Sequence, residues 1–194
     1  MSHRPHEPRV VTDVKKLKPL LNELRSQGQS VVLTQGVFDL VHIGHARYCH
    51  AAKQYGDILV VGEYSDEKVR ERKGPDRPVV PEAERLEMVS HLASVDVVVL
   101  KSAADPKWQL IKLVKPDVLV ATQETYTPEQ IKELHRYCGR VVVLEPMATT
   151  STSAKLRLLQ IGAAQKISET LSQKLIATIE SVLAELKGDK SGEN

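Results

Sequence analysis

Aromatic side chains are scarce in this chain: one Trp, one Phe and 4% aromatic residues in all. RNA and single-stranded DNA are held largely by bases stacking on aromatic rings, so the composition offers few platforms for either. Charge of one sign is lacking too. Lys and Arg number 27 against 25 Asp and Glu, a net of +2, and no nucleic-acid partner is expected. Only two cysteines occur, Cys49 and Cys138, and they form no CxxC pair. That removes a disulfide framework and a cysteine-based zinc site, and it suits small buried residues of a reducing compartment. No apolar run approaches the roughly 20 residues of a membrane span, and MSHRPHEPRV lacks the apolar core of a secretion signal. A cytoplasmic protein with no membrane partner is the expectation. Two common phosphate cradles, GxxxxGK[ST] and GxGxxG, are also missing.

What is present is a rhythm. The β-branched runs at 30–35, 57–64, 95–100, 117–122 and 140–146 are nearly continuous in apolar residues, as strands of a parallel sheet covered on both faces must be. Helical patterns fall between them at 43–55, 81–93, 105–114 and 128–138. Gly56 and Gly139 stand where left-handed helix caps would fall, Pro81 opens one helix, and Thr127-Pro128 supplies cap and first turn of another. This alternation predicts an α/β fold, a doubly wound five-stranded parallel sheet. A lead-in helix over 12–28, capped by Thr12, completes an N-terminal segment (1–29) ahead of the sheet domain (30–160). From about residue 163 a further helix carries Ile167, Leu171, Leu175, Ile179, Val182 and Leu186 on one stripe. The C-terminal helix and tail (161–194) serve either packing on the same chain or a homodimer contact, and the stripe allows both.

Ligands of an open parallel sheet bind beyond the carboxyl ends of its strands. The first predicted strand ends at Gln35, and GVFDLVHIGH follows. His42 and His45 thus fall on the first turn of the next helix, with Gly44 between them leaving room. That turn carries unsatisfied N–H groups and the positive end of the helix dipole, so two imidazole donors there suit a phosphate chain. A metal held by Asp39, His42 and His45 is a second reading, but no further ligand stands at zinc spacing and no metal site is assigned. Two structural histidines are a third.

GVFDLVHIGHARY, GDILVVGEYSD, KGPDRPVVPEAER and STSAKL, in this order, resemble the HIGH-motif nucleotidyltransferases over about residues 10–157. Within that family the likeness is greatest to the adenylyltransferases of bacterial heptose activation. It is less to glycerol-3-phosphate cytidylyltransferase and archaeal FAD synthetase. The resemblance implies a Rossmann-like nucleotidyltransferase domain and direct in-line transfer. A phosphorylated small-molecule acceptor attacks the α-phosphorus of ATP, or of CTP, and pyrophosphate leaves with Mg2+ accompanying the nucleotide. It implies that His42, His45 and Lys73 are catalytic. It also implies nucleotide contacts from Gln35, Gly36, Val37, Phe38, Asp39 and Gly44, and from the hydroxyl cluster Thr150, Ser151, Thr152 and Ser153. Arg77, Arg85 and Tyr126 become the acceptor-binding set. A nucleotide sensor of the same fold without catalysis is the alternative.

The chain departs from the heptose pattern in two places. Gln35 stands where those enzymes carry Asn, and VATQETYTPEQ replaces a Lys-Gly-Gly-Asp-Tyr-like run, of which Tyr126 alone survives. The neighbouring charges Arg70, Glu71 and Arg72 read as a solvated run, and Lys73-Gly74-Pro75 as a mobile loop.

Overall fold

The computed structural model describes residues 9–123, 125–145, 147 and 152–188, the last stretch with side chains at 156 and 158–181 only. Six strands form one sheet: β1 (Arg9–Val11), β2 (Val31–Gly36), β3 (Ile58–Tyr64), β4 (Val97–Lys101), β5 (Val118–Thr122) and β6 (Arg140–Leu144). All pairings are parallel and the order is β1-β4-β3-β2-β5-β6. The sheet therefore has one strand more than the five predicted. Arg9–Val11 pairs with Val97–Val99 at the β4 edge, and three residues are too few to register as a periodic run.

Helices α1 (Val14–Ser26), α2 (Ile43–Lys53), α3 (Asp66–Lys73), α4 (Glu82–Ser90), α5 (Gln109–Val114) and α6 (Pro128–Leu134) fill the connections. Strand side chains alternate between two cores, as a period of two requires. Val31, Leu33, Val60 and Leu119 pack with Leu17 and Leu21 of α1, Ile111 of α5 and Leu134 of α6. Val32, Leu59, Val61 and Val120 pack with Cys49 and Ala52 of α2 and Val89 of α4. Each fully buried Leu or Val contributes about 1.5–3 kcal/mol, so both helix layers are fixed by burial more than by helix propensity.

Several local expectations change. Asp13, not Thr12, caps α1 by accepting from the Lys15 N–H. Residues 66–73 are helix α3, so Arg70, Glu71 and Arg72 of the solvated run lie on a helix and Lys73, placed in a loop by the sequence, is its last residue. The Ser65 side chain accepts from the Lys68 N–H, and only Val69 of the helix is buried. Gly56 and Gly139 are needed for space and not for a left-handed turn. A Cβ at Gly56 would lie 2.8 Å from Val32 Cγ2, and one at Gly139 2.6 Å from the Asp117 carbonyl oxygen. Thr127 and Gln130 form the expected reciprocal cap on α6, with Pro128 at its first turn.

The chain divides into two compact units, Met1–Thr149 and Thr150–Asn194. In the second, helix α7 runs unbroken over Thr152–Gly188, so the helix expected from about residue 163 begins earlier, at Thr152. Ile167, Leu171, Leu175, Ile176 and Ile179 are exposed along it. No helix of the described residues is long and apolar enough to cross a membrane.

Candidate active site

The order in which strands are added reverses at β2, with β3 and β4 laid to one side and β5 and β6 to the other. The β2–β5 ladder covers only Val32↔Val118 and Leu33↔Leu119, whereas β2–β3 continues to Gly36↔Glu63. Beyond Leu33 the two strands are joined through side chains. Tyr48 of α2 donates to the Val120 carbonyl at 3.2 Å and bonds Thr34 Oγ1 at 2.7 Å, while Gln35 Nε2 donates to the Tyr126 hydroxyl at 3.1 Å. A crevice at this point is where a doubly wound sheet takes a ligand.

Residues 36–42 cross the end of β2. Phe38 and Leu40 hold positive φ (43° and 50°), a costly backbone for residues with a Cβ and one that recurs at functional loops. Gly36 is required by the Phe38 ring, since a Cβ there would sit 2.7 Å from Phe38 Cε2. Asp39, 2% exposed, braces the loop. Its carboxylate accepts from the N–H groups of Val79 (3.0 Å) and Val80 (3.0 Å) and pairs with Arg77 Nη2 at 2.7 Å.

His42 caps α2. The Gly44 N–H donates to His42 Nδ1 at 3.1 Å, and the His42 N–H donates to His45 Nδ1 at 3.3 Å. A ring nitrogen that accepts carries no proton, so in each neutral imidazole the proton sits on Nε2. The capping geometry thus sets both tautomers and makes both Nε2 atoms donors. The ring centroids are 4.1 Å apart, and Phe38 lies 5.4 Å from that of His45. The two Nε2–H donors thus stand at the N-cap and in the first turn of α2, where the helix dipole is positive.

The remaining predicted residues part company. Lys73 ends α3. Partial burial, then the charge of Arg77, holds its ammonium below the ordinary lysine value, with Asp39 opposing. Arg85, 1% exposed, faces the interior. Nε donates to the Val80 carbonyl, Nη1 to the Val37 carbonyl and Glu63, and Nη2 to the Tyr64 carbonyl and Asp66. All five of its donors are engaged by protein, so its geometry is that of a strut joining the motif loop, β3 and α4. Burial pushes the Glu63 carboxyl well up, against the pull of Arg85. Thr150 and Ser151, and the side chains of Thr152 and Ser153, lie outside the described residues. Among those described, no group of three His, Cys, Asp or Glu is placed to hold a metal.

One cluster escaped the sequence reading. Lys101, the last residue of β4 and 8% exposed, donates to Gln35 Oε1 at 2.7 Å. Burial, then repulsion from Lys68 and Arg72, lowers its pKa to about 8. These cations line a cavity of about 290 Å³ with Tyr64, Trp108 and Tyr126. Its one sequence signal is a lysine closing the apolar run VVVL.

The cytidylyltransferase-like family matches residues 33–182 of this chain. The bifunctional protein HldE of a Nitratiruptor species is 40% identical over 148 residues, covering 76% of this chain and 32% of that protein. This chain spans about a third of the length of the curated relatives it matches. Among solved structures, a lipopolysaccharide core biosynthesis protein from Thermoplasma volcanium superposes with a TM-score of 0.55 at 28% identity, over 61% of this chain and 98% of that one. A pantoate-beta-alanine ligase from Francisella tularensis reaches 0.55 at 15% identity, over 75% and 69%, a likeness of fold alone. The family match covers the switch-point crevice, the paired imidazoles and most of the sheet, and the chain belongs to the cytidylyltransferase-like family of nucleotidyltransferases.

Proposed function

We propose that the chain transfers AMP from ATP to a phosphorylated sugar or polyol, of the heptose 1-phosphate kind, releasing pyrophosphate. The observation that carries this is the pair of imidazoles whose Nδ1 atoms both accept backbone N–H groups at the start of α2. Their Nε2–H donors suit a triphosphate whose charge is shifting from the α-phosphorus to the leaving group. An ionised oxygen of the acceptor phosphate attacks the α-phosphorus, and the bond to the α–β bridging oxygen breaks. No protein proton need be removed first, because that phosphate is already anionic near neutral pH. Catalysis is then orientation plus donors aimed at developing charge. His42 and His45 supply the donors, Lys73 a cation, and Asp39 and Arg85 hold the loop.

Mg2+ would enter with the triphosphate and neutralise its charge. The carboxylates beside the motif do not form a ligand set for it: Asp39 is committed to Arg77, Val79 and Val80, and Glu63 to Arg85. The preference for ATP and the heptose-like acceptor draws support from the HldE relatives. The exposed stripe on α7 supports a homodimer as the assembly.

Pyrophosphate release measured with each of four nucleoside triphosphates against a panel of sugar and polyol phosphates tests the reading. Release with ATP and a sugar phosphate is expected. Preference for CTP with glycerol 3-phosphate would reassign the enzyme, ATP with a flavin acceptor would make it FAD synthetase-like, and tight nucleotide binding with no release from any acceptor would make it a sensor.

A further inference from the structure

The paired imidazoles leave the basic cavity beyond β3 and β4 without a role. We propose that this cavity seats a second anionic group of the acceptor, a carboxylate or further phosphate remote from the phosphate that attacks. The inference rests on the transfer reaction above and changes its acceptor: a heptose 1-phosphate carries one anionic group, and the cavity calls for a second on the same skeleton.

The charge balance argues for an anion. Lys68, Arg72 and Lys101 line the cavity with a single carboxylate, Asp105, and that carboxylate accepts from the Ser102 N–H at 2.9 Å. Lys107, the fourth cation, pairs with Glu133 at 2.9 Å. Among the described residues no carboxylate oxygen lies within 4.0 Å of the cationic nitrogens of Lys68, Arg72 or Lys101. Lys101 is the decisive member. A lysine ammonium more than nine-tenths buried, held by a neutral amide and repelled by two other cations with Asp105 alone opposing them, is unfavourable on its own. An anion in the cavity relieves all three charges together.

Position argues that the anion belongs to the acceptor. Gln35 bonds Lys101 through its oxygen and Tyr126 through its nitrogen, and it immediately precedes Gly36 of the nucleotide motif. The cavity is therefore the next compartment along the strand edges from the triphosphate. Its rings suit a carbon skeleton: Arg72 and Lys101 each lie 5.0 Å from the Tyr64 centroid, and Trp108 meets Tyr126 edge-on at 5.3 Å. About 290 Å³ is the lower end for a ligand site, ample for a short polyol acid and small for a nucleotide.

Two probes separate the charge from the rest of the acceptor. Glycerol 3-phosphate and 3-phosphoglycerate differ at the far carbon, a hydroxymethyl in one and a carboxylate in the other. Calorimetric titration of the full chain, saturated with Mg2+ and α,β-methylene ATP, is expected to show 3-phosphoglycerate bound about tenfold more tightly, the size of one charged contact. Lys101→Met should abolish that preference and Lys101→Arg retain part of it. Arg72→Gln, at an exposed position, should weaken it without touching the buried network. Equal affinity for the two probes, binding of neither, or a preference that survives in Lys101→Met overturns the proposal. Failure to bind the ATP analogue is a different result. It removes the transfer reaction, and the two probes titrated without nucleotide still report on the cavity.

Discussion

In the proposed reaction His45 acts through one atom. Its Nδ1 is held by the His42 N–H, so replacement by Ala removes an oriented Nε2–H donor and half of a helix cap. Turnover of His45→Ala should fall by about 10²- to 10³-fold, the usual loss for one donor to transition-state charge, with nucleotide affinity changing much less. Steady-state kinetics beside equilibrium ATP binding checks this, and activity within a few-fold of wild type would remove the imidazole from the mechanism. Lys101 gives a pH dependence with a definite sign. Its ammonium, faced by Lys68, Arg72, Asp105, Tyr64 and Gln35, deprotonates near pH 8. The preference for the diacid probe should be full well below pH 8 and disappear as pH rises through it. The bound anion moves the midpoint upward. Both probes carry the same phosphate, so titration of that group cancels in their ratio. For folding the sign is opposite. The lysine is more acidic in the folded chain than in the unfolded one, whose value is 10.5, so stability from this group rises with pH between about 8 and 10.5.

At the level of elements, Arg85 ties α3, α4 and β3 to the motif loop. Arg85→Met would leave Glu63 buried without its cation and free the Val37, Val80 and Tyr64 carbonyls of their donor. A loss of about 3–5 kcal/mol in urea unfolding is expected, as for other broken buried ion pairs. A change under 1 kcal/mol would deny the strut. Gly139→Ala tests the αβ junction before β6. Its Cβ would meet the Asp117 carbonyl at 2.6 Å, and backbone cannot rotate away as a side chain can. A cost of about 1–3 kcal/mol follows. Elements were legible in sequence in proportion to what they bury. β2 to β6 announce themselves as β-branched runs, and Thr127-Pro128 names its own cap. Helix α3 does not, because a helix that buries Val69 alone has no apolar face to show. The glycines were found at the right places for the wrong reason. Their positions follow helices, but Asp117 and Val32, which set the need for space, are remote in the chain. The site divides the same way. HIGH is local, so its residues could be read off. The compartment of Lys101, Gln35 and Tyr126 exists only through the strand order, which brings together residues 66 and 91 positions from Gln35.

The whole molecule offers two surfaces to test. The stripe Ile167, Leu171, Leu175 and Ile179 should make the chain a concentration-dependent dimer in sedimentation equilibrium. Leu171→Glu with Leu175→Glu should leave a monomer of unchanged helix content. Wild type that stays monomeric at high concentration would refute the dimer. The other surface is internal. Because β2 and β5 share only two registered pairs, the sheet has a seam, with four strands on one side and two on the other. Along it, the two registered pairs and the Val31–Asp117 bonds are supplemented by a tyrosine, a glutamine and their partners where the ladder stops. Amide hydrogens of β5 and β6 should therefore exchange in a block before those of β2 and β3, like a book opening at a weak binding. A nucleotide lying across the switch point bridges both covers, so its clearest signature in hydrogen exchange should be slower exchange in β5 and β6, strands that carry none of the HIGH residues.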